Sequence, residues 1–110
     1  ETVIFEAPAV RPITAVRLSG TIGVFEAPLG RSLVGRGATA AGRMPVKEMS
    51  REHAALIVSA ERVILEDLKS VNGTTVNGTA ITGTHELAEG DLISFGTIDL
   101  RVDFLRLGGG

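Results

Sequence analysis

Met49-Ser50-Arg51-Glu52-His53-Ala54 is the stretch on which the fold turns. It divides two unlike segments. Upstream, Gly30 to Arg43 is rich in glycine and arginine. Downstream, Ala54 to Ala60 is an apolar run that reads as a buried strand. Polar donors just before a buried strand stand at a loop edge, where a rigid scaffold can hold them. Ser50 offers a hydroxyl, and Arg51 a charged fork of N–H donors. In an extended chain Arg51 and His53 share one face, opposite Ser50 and Glu52. In a turn that rule fails, and Ser50 and Arg51 can converge on one target. A hydroxyl beside a guanidinium suits an anion with several acceptor oxygens, such as phosphate. A helix over Met49–Ala60 is the competing reading, because Glu48, Glu52 and the alanines favour helix. The β-branched runs at Ile57, Val58, Val63 and Ile64 argue against it.

The surrounding chain is long enough for one domain. It has 110 residues, of which 44% are apolar, so it can bury a core and is not a disordered tail. With four Phe and no Trp or Tyr, that core must be built from Val, Ile, Leu and Ala. The net charge of −2 argues against a general nucleic-acid binder, since such domains are basic overall. The absence of cysteine excludes a disulfide framework and thiolate zinc sites, and fits a cytoplasmic setting. No apolar run approaches the roughly 20 residues of a membrane helix, so no membrane contact is expected. No signal peptide is visible and Glu1 is not an initiator Met, so the chain reads as part of a longer protein.

Working outward, short strands are expected at Thr2–Phe5, Ile13–Leu18, Thr21–Phe25 and Ser32–Val34. Further strands are expected at Ala55–Ser59, Arg62–Glu66, Thr74–Val76, Leu92–Phe95 and Ile98–Leu105. The last alternates cleanly, with Ile98, Leu100, Val102 and Phe104 against Asp99, Arg101 and Asp103. Gly37 to Gly42 reads as a flexible loop, and Ile81 and Leu87 as isolated apolar anchors in a polar stretch. His85 is expected exposed in a Thr-rich loop. Two Val-Asn-Gly-Thr copies, at 71–74 and 76–79, are strong turn signals. Many short strands with frequent turns point to an all-β, two-sheet sandwich of about ten to eleven strands. The division expected is an N-terminal arm or edge strand over 1–12, a domain over 13–106 and a glycine tail over 107–110. Phe5-Glu6-Ala7-Pro8 recurs as Phe25-Glu26-Ala27-Pro28. The plainer reading is two similar strand-plus-turn segments. The sharper one is that the first copy supports a homo-oligomer through the N-terminal strand.

An ordered series of markers now stands out. It runs Gly35-Arg36, Ser50-Arg51-Glu52-His53-Ala54, Ser70-Val71-Asn72-Gly73-Thr74, Val76-Asn77-Gly78 and Leu87-Ala88-Glu89-Gly90-Asp91-Leu92-Ile93-Ser94-Phe95-Gly96. Over roughly residues 31–104 this series resembles a forkhead-associated (FHA) domain. The resemblance implies a β-sandwich whose loops at one end bind phosphothreonine peptides. By it, Arg36 reaches the phosphate or the neighbouring peptide backbone, Ser50 binds the phosphate through its hydroxyl, and Arg51 adds a contact. Asn72 holds the peptide main chain. Val71 departs from the usual pattern and can serve only through its backbone. The resemblance makes His53 a brace behind the loops, and has Gly35, Gly73 and Thr74 shape them.

The residues support the anion site independently. Arg31, Arg36, Arg43, Lys47 and Arg51 fall in one stretch against a single acid, Glu48, in a chain with eleven cations. The bland alternative is a solvated basic loop. Catalysis is not expected, because Ser50 and His53 have no carboxylate aimed at them. Nor is a metal or cofactor, since Asp67 has no second carboxylate beside it in sequence. Asn77 and Asp91 read as turn formers. Two functions remain in view. One is a phosphothreonine-dependent recruitment module in Ser/Thr kinase signalling, whose partner is a phosphorylated protein or peptide. The other is a phospho-independent assembly domain of the same fold.

Overall fold

Alternating and β-branched segments, punctuated by glycine turns, can bury their apolar atoms only by stacking sheets. The computed structural model describes residues 11–108 and does so with eleven strands and no helix among them. In chain order they are β1 (Ile13–Gly20), β2 (Gly23–Pro28), β3 (Gly30–Gly35), β4 (Gly42–Arg43), β5 (Ala54–Val58), β6 (Val63–Asp67), β7 (Thr74–Val76), β8 (Thr79–Ala80), β9 (Thr84–Leu87), β10 (Leu92–Phe95) and β11 (Ile98–Arg106). One sheet has six strands in the order β2-β1-β11-β10-β7-β8. The other has five, in the order β4-β3-β5-β6-β9. The pairing is antiparallel except for β3 with β4. Within the described residues no helix is long and apolar enough to cross a membrane.

The inner faces meet in one core. Val16, Leu18, Leu56, Leu65, Ile93, Phe95, Leu100 and Val102 are all essentially inaccessible to water. As the composition required, aliphatic side chains dominate it, with Phe95 the largest fully buried residue. The alternation expected for Ile98–Leu105 is present, with Leu100 and Val102 buried and Asp99 and Arg101 exposed. The second Asn-Gly is a two-residue hairpin loop between β7 and β8. Asn77 takes φ of 51° and Gly78 φ of 84° there, which is why these residue types occupy it. Asn77 is structural in a second way. Its Oδ1 accepts from the Leu92 N–H at 2.9 Å, and its Nδ2 donates to Asp91 at 2.9 Å.

Three expectations are corrected. Gly37–Gly42 is not wholly loop, because Gly42 and Arg43 form β4 alongside Val34 and Gly35. The stretch around Ile81 and Leu87 is not merely anchored loop. It contains β8 and β9, and β9 completes the five-stranded sheet against β6. His85 is exposed but lies on β9. β4, β8 and β9 escaped notice because each sits at a sheet edge, where a strand needs few apolar residues. The expected Thr2–Phe5 strand, and with it the first Phe-Glu-Ala-Pro copy, lies outside the described residues.

Leu56 is fully buried at the centre of β5, paired with Leu65 on β6. Leu56→Ala should lower stability by about 2–5 kcal/mol, read from urea unfolding midpoints with an unchanged slope.

Candidate functional site

Three segments meet at one end of the sandwich. They are the end of β3 with the loop after it, the turn before β5, and the loop from β6 to β7. The first two are locked by backbone bonds. The Arg36 N–H donates to Ser50 C=O at 2.9 Å, Gly37 N–H to Arg51 C=O at 3.0 Å, and His53 N–H to Val34 C=O at 3.0 Å. Such close backbone approach explains Gly35. A Cβ there would lie 2.2 Å from the Arg51 carbonyl oxygen.

Arg51 and Glu52 form a turn, so the alternation of an extended strand does not apply. Ser50 is half-buried, Arg51 and Glu52 are exposed, and His53 is fully buried. The buried imidazole has both nitrogens engaged. Nδ1 accepts from the Ser50 N–H at 3.0 Å, which assigns the ring proton to Nε2, and Nε2 donates to Gly73 C=O at 2.9 Å. Its ring stands edge-on to Phe95, with centroids 4.9 Å apart.

The remaining polar residues are laced to one another. Ser50 Oγ accepts from the Val71 N–H at 3.0 Å, so the hydroxyl proton is left to donate elsewhere. Arg36 Nε donates to Met49 C=O at 3.0 Å, and its two terminal nitrogens bond no other described residue. Asn72 Nδ2 donates to Glu48 C=O at 2.9 Å, leaving Oδ1 open. Arg36, Ser50 and Asn72 are thus held at one end of the molecule. Arg51 lines a cleft with Gly37, Ala38, Thr39 and Glu52. The Val71 side chain is 89% exposed, and its backbone alone joins the network. Arg36, Arg43, Lys47 and Arg51 join none of the ion pairs formed among the described residues. Among the described residues, the charges of Arg36 and Arg51 beside Ser50 are thus matched by no ion pair.

The sequence reading missed two supports. Asp67, considered there only as a metal ligand, accepts from Ser70 Oγ at 2.6 Å and from Thr74 Oγ1 at 2.8 Å. Burial pushes its carboxyl upward, but the Ser70 and Thr74 hydroxyls and the Ser70 N–H outweigh that and hold its pKa below the ordinary aspartate value. Asp67 also accepts from the Ser70 N–H three residues on, a local side-chain-to-backbone bond of the kind an Asp–x–x–Ser spacing can signal. The second support is Glu48. Its carboxylate accepts from Thr97 Oγ1 at 2.8 Å, and that bond lowers its pKa. The contact spans 49 residues, so no local pattern could announce it. No group of His, Cys, Asp and Glu among the described residues is arranged to hold a metal.

The fold and this end of it define the class: a two-sheet sandwich presenting a cationic, hydrogen-bonded loop cluster. Residues 32–96 match the model of the FHA domain, and the chain belongs to that family. FHA domain-containing protein FhaA of Mycobacterium tuberculosis is 37% identical over 73 residues, covering 66% of this chain. Mediator of DNA damage checkpoint protein 1 of Mus musculus is 38% identical over 97 residues, covering 79%. The chain spans only 14% and 6% of the lengths of these two relatives. A solved structure from a study of phosphothreonine-dependent FHA domain interactions is 33% identical, with a TM-score of 0.77. It covers 86% of this chain and 100% of its own.

Two outcomes test the supports. Gly35→Ala should unfold the domain or separate the β3 end from the Ser50 turn, seen as a lowered thermal midpoint. Asp67 has a folded pKa below its unfolded value of about 3.9, so the stability it contributes is complete above that value. It is lost as the pH falls through the lowered folded value. Asp67→Asn should remove this part of the acid dependence, seen by comparing urea midpoints across acidic pH.

Proposed function

We propose that this domain is a recruitment module that binds phosphothreonine in a partner protein, in pathways run by Ser/Thr kinases in the cytoplasm. The observation that carries the reading is the Ser50 hydroxyl, fixed by the Val71 N–H, with Arg36 bonded to the neighbouring Met49 C=O and Arg51 next in sequence, neither in an ion pair among the described residues. Phosphothreonine brings about −1.5 to −2 charges and three acceptor oxygens. In this proposal Ser50 Oγ–H and the free Arg36 N–H groups donate to those oxygens. Arg51 adds charge from the neighbouring turn. Asn72 holds the peptide main chain through Oδ1 and its unspent N–H. Val71 contributes its backbone N–H, by orienting Ser50. Gly35, His53, Gly73 and Thr74 hold the loops in place.

Family membership supports the reading, as does the similarity to a domain described for phosphothreonine-dependent interactions. The function needs no bond made or broken, so we assign a binding role and no enzymatic step. Because several groups are already fixed by hydrogen bonds, little ordering is needed on binding, and two or three charge-assisted bonds suffice for about micromolar affinity.

The test is calorimetric titration of phosphothreonine peptides against their unphosphorylated twins. Binding should need the phosphate. Arg36→Ala or Ser50→Ala should each weaken it by about 10- to 150-fold, the equivalent of one charge-assisted bond at about 1.5–3 kcal/mol. Thermal midpoints serve to check that both variants stay folded. Affinity should also fall below about pH 6, where the phosphate gains a proton. Equal affinity for both peptide forms would refute the proposal.

A further inference from the structure

The outer face of the five-stranded sheet takes no part in the site. Cross-strand pairing fixes its rows. Arg31, Ile57, Ile64 and Glu86 stand side by side across β3, β5, β6 and β9. The next row, towards the loop cluster, is Leu33, Ala55, Glu66 and Thr84. Leu33, Ile57 and Ile64 are half-buried, yet belong neither to the core nor to the side chains packed on it. They point away from the interior, and Ala55 among them is wholly shielded from water. An antiparallel sheet facing water is ordinarily polar on that side. Here the row Arg31-Ile57-Ile64-Glu86 is aliphatic in its middle and carries opposite charges at its ends, and in the next row Glu66 is the one charged residue.

We propose that this face pairs with the same face of a second copy as a two-fold dimer. The argument is charge complementarity. A two-fold axis lying in the interface, along the strands and between β5 and β6, sets the row Arg31-Ile57-Ile64-Glu86 against its own reverse. Ile57 of one copy then meets Ile64 of the other, Arg31 meets Glu86, and symmetry repeats each contact. Aligned sheets pack in this way at about 10 Å. Within one copy Arg31, exposed, reaches the half-buried Glu66 at 3.8 Å. Such a contact is weak and free to exchange for Glu86 of the second copy.

The axis preserves the direction along the strands. The loops bearing Arg36, Ser50 and Asn72 therefore lie at the same end of both copies, so that one dimer can engage two phosphothreonines of one target. That consequence rests on the proposed function; the pairing itself does not.

Sedimentation equilibrium of the whole chain, without peptide, tests the pairing. The face is small, so the dimer expected is weak, with a dissociation constant on the order of 100 µM. Arg31→Glu or Glu86→Arg alone places like charges opposite each other and should weaken association about tenfold or more. The two combined should restore it. Thermal midpoints show whether each variant is folded. A single species of monomer mass up to about 1 mM overturns the proposal. So does a dimer that the single changes leave intact or the double change fails to rescue. Since no phosphate is involved, failure here and failure of phosphopeptide binding are separate results.

Discussion

One buried side chain joins the two sheets at the end that matters. His53 enters from the start of β5, in the five-stranded sheet, and ends against Gly73 C=O, just before β7 of the six-stranded sheet. Its other nitrogen holds the Ser50 N–H. A neutral hydrophobe of the same size would fill the space beside Phe95 but leave a donor and an acceptor unpaired. Each such loss costs about 1–3 kcal/mol when the group is buried. The geometry of Ser50, and through Ser50 Oγ that of Val71, is thus inherited from a contact inside the molecule. The surface loops are placed by the core.

This arrangement separates two tasks that the same loops must perform. Backbone groups hold the loops to one another, Asp67 braces the loop between β6 and β7 from within, and Glu48 ties the turn before β5 to Thr97. Arg36, Ser50 and Asn72 each spend part of their hydrogen-bonding capacity on that task and retain the rest. A site prepared in this way loses little conformational freedom when an anion arrives. In the proposed function, cations that join no ion pair among the described residues would supply attraction, and the fixed donors geometry.

How much was legible depended on the range of the interaction involved. The strands β5, β6, β10 and β11 were visible because their own residues alternate or run apolar. β4 and β9 were not, because an edge strand is defined by its neighbour: Gly42 and Arg43 become strand only beside Val34 and Gly35. The marker residues from Arg36 to Asn72 were legible because ordered residue types at set spacings survive without any coordinates. Asp67 was weighed only as a metal ligand, set aside and given no role, since a carboxylate near two hydroxyls looks the same in sequence whether it braces a loop or lies open. Thr97 was not singled out at all.

By itself the sequence settled the all-β class, the aliphatic core, the hairpin at Asn77-Gly78 and the residue types gathered near Ser50. Those follow from periodicity, turn chemistry and local charge, which act within a few residues. Only the tertiary structure decided that His53 reaches Gly73, that Glu48 is tied to Thr97 and that Arg31 shares a row with Glu86. Those contacts join positions 20 to 55 apart, and their existence depends on strand register, a quantity that local sequence does not carry.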